Sequence, residues 1–99
     1  MQKLTTYILS QEADADIDAI FDYSKKEFGL NQAIKYVSYF DTIFKQLLQQ
    51  PNLGKVRGEI KKGILSLSIG SHIVFYSIRE NYIRIERVLH GRCDIPKRF

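Results

Sequence analysis

The chain has 99 residues, which suits one domain with a single core and is too few for a substrate cleft between two domains. Hydrophobic residues make up 44% and charged residues 26%, ordinary values for a globular protein, so a disordered chain is excluded. No apolar run approaches the roughly 20 residues of a membrane-spanning helix, and the first residues lack a signal-peptide cleavage site, so we expect a cytoplasmic protein.

The net charge of +4 is unevenly distributed along the chain. Residues 1–41 carry seven acids and four bases, whereas residues 42–99 carry four acids and eleven bases. A basic C-terminal half suits an anionic partner, either nucleic acid or an acidic protein surface. The alternative is that scattered lysines such as Lys55, Lys61 and Lys62 only keep the sheet edges soluble.

The first elements are predicted to be a strand and a helix. The segment from Lys3 to Leu9 is rich in β-branched and aromatic residues, and Ser10 is a suitable N-cap. From Gln11 to the expected terminal Gly29, apolar or small residues recur at helical spacing: Ala13, Ile17, Ile20, Phe21, Ser24 and Phe28. We interpret the aspartates near the start of this helix as structural, because the helix dipole favours them there.

A second helix is predicted to begin at an Asn31 cap and to end at Pro51. Its apolar stripe comprises Ala33, Ile34, Val37, Phe40, Phe44, Leu47 and Leu48. The short link around Gly29 requires an antiparallel hairpin with the first helix. Additional apolar residues widen this stripe, so we expect the second helix to pack against the sheet on one side and against the first helix on another. The alternative is that part of the apolar surface binds a partner.

The second half of the chain is predicted to form a three-strand antiparallel meander. A polar connector from Lys55 to Gly63 precedes strands at residues 64–69, 72–78 and 82–89. Gly70-Ser71 suits a type II′ hairpin turn, because glycine occupies the first central position. The predicted fold is therefore α+β in the order β-α-α-β-β-β, with the helical hairpin packed on a small antiparallel sheet.

The last strand leads into a cluster of cations. Side chains alternate between the two faces of a strand, which places Ile83, Ile85, Arg87 and Leu89 on one face. Arg87 would therefore share its face with apolar residues, an unfavourable place for a charge. Gly91 ends the strand, and Pro96 predicts an extended tail, because proline has no N–H to donate. For Arg87 the structural alternative is that its guanidinium bonds carbonyls at a helix end.

The sequence contains no nucleotide-binding glycine motif and no zinc spacing, so we expect neither a cofactor nor a metal. Cys93 is the single cysteine, and we interpret it as structural or incidental. The basic residues of the C-terminal half could serve two functions. One is metal-free RNA cleavage with His90 as acid or base, and the other is docking onto an acidic or DNA-bound protein surface without chemistry.

Nearly the whole chain resembles the ParE branch of the RelE/ParE toxins of bacterial type II toxin–antitoxin systems. The ending Arg87-Val88-Leu89-His90-Gly91-Arg92-Cys93-Asp94-Ile95-Pro96 is the most specific part of the likeness. Weaker parts are Ser10 to Ile17 and Phe21-Asp22-Tyr23 in the first helix, Gln50 to Gly54, and Gly70 to Tyr76. The resemblance implies a single toxin domain over residues 1–99 with the fold derived above.

The resemblance further implies a non-enzymatic toxin that stabilises a DNA gyrase–DNA cleavage complex and is neutralised by a ParD-like antitoxin. We predict gyrase contacts at Arg87, His90, Arg92, Lys97 and Arg98. We predict antitoxin contacts at Ile20, Tyr36, Tyr39, Val74 and Tyr76. The alternative is a ribosome-dependent mRNA endoribonuclease, similar to the RelE branch, that uses His90 and nearby basic residues. A stand-alone structural adaptor is a third class, and it predicts no growth defect when the chain is expressed without its neighbour.

Overall fold

The computed structural model describes residues 3–99, which form two helices, five strands and a terminal 3-10 helix. The helices are α1 (Gln11–Phe28) and α2 (Leu30–Gln49). The strands are β1 (Thr6–Leu9), β2 (Lys55–Val56), β3 (Leu65–Ile69), β4 (His72–Ile78) and β5 (Tyr82–His90), and the 3-10 helix is Ile95–Arg98. The sheet order is β1-β5-β4-β3-β2. The predicted α+β fold, with a helical hairpin on a sheet, is confirmed.

The two helices are joined by a single residue, Gly29. The Ser10 hydroxyl accepts the Ala13 N–H at 2.9 Å and caps α1 as predicted. Gly29 adopts φ +91, a conformation that favours glycine, and it is at once the C-cap of α1 and the N-cap of α2. The predicted N-cap at Asn31 is therefore wrong, because α2 already begins at Leu30.

The main core lies between the helical hairpin and the inner face of the sheet. The buried helical residues are Ala13, Ile20, Phe40, Phe44 and Leu47, and they pack against Val74, Tyr76, Ile83 and Ile85 of the sheet. Two members of the predicted stripes, Phe28 and Ile34, are instead exposed. Both lie towards the turn end of the hairpin, where the helices leave apolar side chains uncovered.

The sheet extends the predicted meander at both edges. Strands β3, β4 and β5 are antiparallel neighbours, and Gly70 has φ +58 in the tight turn between β3 and β4, as a type II′ turn requires. β1 pairs parallel with β5, so the sheet is mixed rather than wholly antiparallel. The two residues of β2 pair with β3, so part of the predicted connector is a strand.

A β-bulge in β5 changes which side chains face the helices. Phe75 pairs with Arg87 but Tyr76 pairs with Ile85, which leaves Glu86 as the extra residue. Beyond the bulge Val88 joins the main core, whereas Leu89 joins a second cluster on the opposite side. The prediction that Arg87 shares a face with Ile83 and Ile85 is therefore wrong, because a bulge reverses the period-two alternation.

The face of the sheet opposite the helices, here called the outer face, carries a second small core. Ile64, Phe75 and Leu89 are buried there under Ile60, Ile73, Cys93 and Ile95. The Phe99 ring lies edge-on to Phe75 with the ring centres 5.1 Å apart. The predicted extended tail is wrong, because Pro96 occupies the first turn of the 3-10 helix, where a missing N–H leaves no bond unmade.

Candidate functional site

The C-terminal segment, residues 91–99, presents cations to solvent. Arg92, Lys97 and Arg98 are exposed. The Lys97 ammonium lies 3.8 Å from the Asp94 carboxylate, and pairs this exposed contribute little to stability. The segment itself is held by backbone bonds, with Gly91 N–H donating to the Ser71 carbonyl at 3.0 Å and Cys93 N–H donating to the His90 carbonyl at 3.1 Å.

Arg87 anchors this segment and is not itself presented to solvent. Its guanidinium donates to both carboxylate oxygens of Asp16, at 2.8 and 2.9 Å, and this pairing raises the pKa of Arg87. Another nitrogen of the same group donates to the Arg98 carbonyl at 2.9 Å, at the end of the 3-10 helix. Asp16 also accepts the Val88 N–H at 2.9 Å. Arg87 thus ties α1, β5 and the C-terminal segment together.

His90 lies beside a second histidine at the end of the sheet. The His72 and His90 rings are nearly perpendicular, with centres 5.3 Å apart. The Tyr36 hydroxyl lies 2.7 Å from His72 Nδ1, and His90 Nδ1 accepts the Arg92 N–H at 3.1 Å. Burial is the largest effect that lowers the pKa of His72, and the neighbouring His90 lowers it further. Asp16 acts in the opposite direction, and the net effect favours the neutral imidazole.

A groove of about 740 Å³ opens between the helical hairpin and the end of the sheet. Ile20 and Tyr36, two of the predicted antitoxin contacts, line this groove. Three of the predicted gyrase contacts, Arg87, His90 and Arg98, line it as well. The structure therefore brings parts of both predicted sets to one concave surface.

The groove also exposes apolar residues that the sequence did not suggest as contacts. Tyr23 is 62% exposed and Phe28 is 67% exposed on its α1 wall. Phe28 fits the helical spacing of the apolar residues, but it is the last residue of α1. Its position directly before the terminal glycine is the sequence signal that could have identified it as an exposed contact residue.

The remaining predicted antitoxin residues are dispersed. Val74 and Tyr76 are 0% exposed, so they offer a partner no surface. The Tyr76 hydroxyl donates to the Pro51 carbonyl at 2.7 Å and accepts the Gly54 N–H at 2.9 Å, so its role is to fix the turn after α2. Tyr39 is 51% exposed on α2 but does not line the groove.

A second concave site, here called the outer pocket, has a volume of about 370 Å³. Its lining includes Lys61, Arg84, Glu86, Arg98 and Phe99. Burial acts to raise the pKa of Glu86, but hydrogen bonds from Ser77, Arg84 and Arg79 together outweigh it, and the pKa lies below its usual value. Sequence reasoning listed several of these cations but could not assemble them, because the pocket joins residues from α1, the 57–64 connector, β5 and the C-terminal segment.

Within residues 3–99, no group of three histidine, cysteine, aspartate or glutamate side chains is arranged to hold a metal ion. Cys93 is half-buried against the outer cluster. In the same described range, no helix is both long and apolar enough to cross a membrane.

The fold has a solved counterpart in a toxin–antitoxin system. A chain in the structure titled "Chromosomal ParDE TA system from P. aeruginosa" superposes with a TM-score of 0.75 at 24% identity, and the match covers 89% of this chain and 96% of that chain. Residues 7–95 also match the family described as "ParE toxin of type II toxin-antitoxin system, parDE". The chain therefore belongs to the ParE toxin family, and it is a toxin of a type II toxin–antitoxin system.

Curated relatives carry the same designation. Toxin ParE1 of Mycobacterium tuberculosis is 34% identical over 92 residues, which cover 92% of this chain and 94% of that protein. Toxin ParE1 of Caulobacter vibrioides is 33% identical over 84 residues, covering 85% and 86% respectively. Toxin ParE of Escherichia coli is 27% identical over 97 residues, covering 97% and 94%. The resemblance noted from the sequence is confirmed.

Proposed function

We propose that this toxin inhibits DNA gyrase by stabilising a gyrase–DNA cleavage complex. The observation that carries the proposal is the exposed cationic C-terminal segment, which Arg87 and Asp16 fix to the body of the protein. A fixed segment loses little conformational freedom when it docks, and its charge complements a protein that is bound to DNA. Such inhibition needs a shaped surface and no chemical step. Since gyrase acts on the chromosome, the proposal implies action in the cytoplasm.

The gyrase contacts divide into two roles under this proposal. His90, Arg92, Lys97 and Arg98 contact the target, because all four are exposed. Arg87 is a positioning residue, because its guanidinium is engaged by Asp16 and by the Arg98 carbonyl. Replacement of Arg87 should therefore weaken inhibition through disorder of the segment.

We propose that a ParD-like antitoxin neutralises the toxin by covering the groove. The exposed rings of Tyr23 and Phe28 provide apolar surface for an amphipathic partner, and Ile20 and Tyr36 line the groove beside them. His90 and Arg98 line the same groove. An antitoxin bound there would bury gyrase contacts, so neutralisation would follow from occlusion.

The first experiment measures plasmid supercoiling by purified gyrase with the wild-type toxin and with the variant Lys97→Gln/Arg98→Gln. We expect the wild type to accumulate cleaved DNA and the variant to require at least about tenfold more protein, which corresponds to roughly 1.4 kcal/mol of lost interaction. The matched control is Lys25→Gln/Lys26→Gln, which removes the same charge from the exposed end of α1 and should behave as wild type. Equal activity of all three proteins would contradict the proposed surface.

A ribosome-dependent mRNA cleavage assay run in parallel tests the alternative. The gyrase proposal predicts intact mRNA. Cleaved mRNA with unaffected supercoiling, and loss of that cleavage in His90→Ala, would instead identify an endoribonuclease that uses His90 as acid or base.

The antitoxin proposal is tested with Phe28→Ser, since this exposed side chain contributes little to the core. We expect Phe28→Ser to weaken binding of the cognate antitoxin by about tenfold or more, and to reduce rescue of growth upon co-expression. Tyr39→Ser is the matched control, because Tyr39 is a comparably exposed aromatic residue outside the groove. Loss of binding in Tyr39→Ser alone would place the interface on the outer side of α2 and refute the groove.

A further inference from the structure

The fold converts the charge asymmetry of the sequence into two differently charged surfaces. The acidic residues 1–41 build β1, α1 and most of α2, whereas the basic residues 42–99 build most of the sheet and its outer face. The outer pocket lies where the outer face meets the start of α1 and the C-terminal segment. It is a second concave surface beside the groove, and Arg87 and Arg98 border both.

The outer pocket retains positive charge after its internal pairings are counted. The Glu86 carboxylate accepts from Arg84 of the lining at 3.1 Å and from Arg79, which lies outside the lining, at 3.2 Å. One carboxylate therefore faces two guanidinium groups. Arg87 of the lining is paired with Asp16. Within residues 3–99, the side chains of Lys61 and Arg98 donate no hydrogen bond and form no ion pair, and both are exposed. Glu12 is the other acidic residue of the lining.

The pocket offers charge without a surface on which bases could stack. Phe99 is the aromatic residue of the lining, and its ring is engaged edge-on with the buried Phe75. Recognition of single strands normally uses exposed aromatic rings as stacking platforms. Contact with the phosphate backbone of a duplex requires only cations that track the strand.

We propose that the outer pocket binds the phosphate backbone of duplex DNA directly, with Lys61, Arg84 and Arg98 as the contacting cations. The contact needs no gyrase and thus goes beyond the proposed inhibition, although the choice of DNA over double-stranded RNA rests on that proposed function. A toxin that holds DNA itself gains a second point of attachment to a gyrase–DNA complex.

The test measures fluorescence anisotropy of a labelled DNA duplex of roughly 20 base pairs with the purified toxin, between about 50 and about 200 mM salt. We expect Lys61→Gln/Arg84→Gln to reduce the slope of log affinity against log salt by about two, since each lost phosphate contact removes about 0.9. The control Lys25→Gln/Lys26→Gln has the same net charge and should keep the wild-type slope. Arg84→Lys, which retains the charge, should bind within a few-fold of wild type.

Folding is controlled by thermal unfolding of each variant, because Arg84 also bonds Glu86. The proposal is overturned if the wild type does not bind the duplex at about 50 mM salt, or if both double variants reduce the salt slope by the same amount. It is also overturned if single-stranded or duplex RNA binds more than about tenfold more tightly than duplex DNA. Supercoiling assays on the same proteins separate the two proposals. Duplex binding through Lys61 and Arg84 by a toxin that does not inhibit gyrase would refute gyrase inhibition and support the outer pocket.

Discussion

Removal of the Asp16 carboxylate should destabilise the fold and release the C-terminal segment. Asp16→Ala deletes the bidentate bond to Arg87 and leaves the Val88 N–H without its partner. Hydrogen bonds to charged groups contribute about 1.5–3 kcal/mol, and an unpaired buried N–H costs about 1–3 kcal/mol. The Arg87 and Asp16 side chains are 18% and 15% exposed, so values at the low end apply. We expect a loss of about 3 kcal/mol in the free energy of unfolding.

This loss corresponds to a melting temperature about 12–24 °C lower for a chain of this size. Urea unfolding followed by circular dichroism measures the loss of stability. The control is Asp18→Ala, because Asp18 is exposed on the same helix and, among residues 3–99, pairs with no other side chain. Limited proteolysis should cleave Asp16→Ala faster within residues 91–99, since Arg87 would hold the Arg98 carbonyl less firmly. The reasoning is refuted if Asp16→Ala costs under about 1 kcal/mol, or if a double-mutant cycle with Arg87→Ala finds no coupling.

Three contacts elsewhere in the fold also contribute to stability. Gly54→Ala should cost about 2–3 kcal/mol in urea unfolding, because its Cβ would lie 2.6 Å from the Tyr76 hydroxyl, whereas Gly58→Ala, with open space around it, should be neutral. The pKa of Glu86 is lower in the folded protein than its unfolded value of 4.5. The ionised carboxylate therefore stabilises the fold fully above pH 4.5, and this stabilisation is lost as the pH falls through the folded pKa. The difference in free energy of unfolding between wild type and Glu86→Gln should shrink from pH 6 to pH 3. Burial and the hydrogen bond to Asp41 raise the pKa of Tyr7 to about 12 in the folded protein. Above pH 10 the unfolded chain releases this proton more readily than the native state, so the free energy of unfolding falls. Tyr7→Phe should therefore lose less stability than wild type between pH 10 and 12 in urea unfolding.

The sequence predicted those elements whose conformation is determined by neighbouring residues. The period of 3.6 identified both helices, and Gly70 identified the tight turn, because amphipathic spacing and turn conformation depend on neighbouring residues. The parallel pairing of β1 with β5 was not predicted, since no turn links the two strands and the helices separate them in sequence.

The site residues were harder to predict because they depend on register and on distant contacts. The bulge at Glu86 reversed the alternation and moved Arg87 to the outer side of β5. Asp16 and Arg87 are 71 positions apart, and the aspartates of α1 were not connected with Arg87 from the sequence. Val74 was suggested as a contact because alternation does not reveal which face of a strand the helices cover.

The edge of β5 explains how one helix controls both the groove and the C-terminal segment. β1 pairs with β5 only as far as Ile85, and beyond that point the N-cap and the first turns of α1 supply the partners. The Ser10 hydroxyl donates to the Glu86 carbonyl at 2.7 Å, and Asp16 accepts the Val88 N–H. The same helix provides the groove wall through Ile20 and, through the Asp16–Arg87 pair, sets the position of residues 91–99. A ligand that displaces α1 from the groove side would therefore also shift the cationic segment. Under the proposed function, an antitoxin could thus neutralise the toxin by occluding the shared surface and by moving its gyrase contacts.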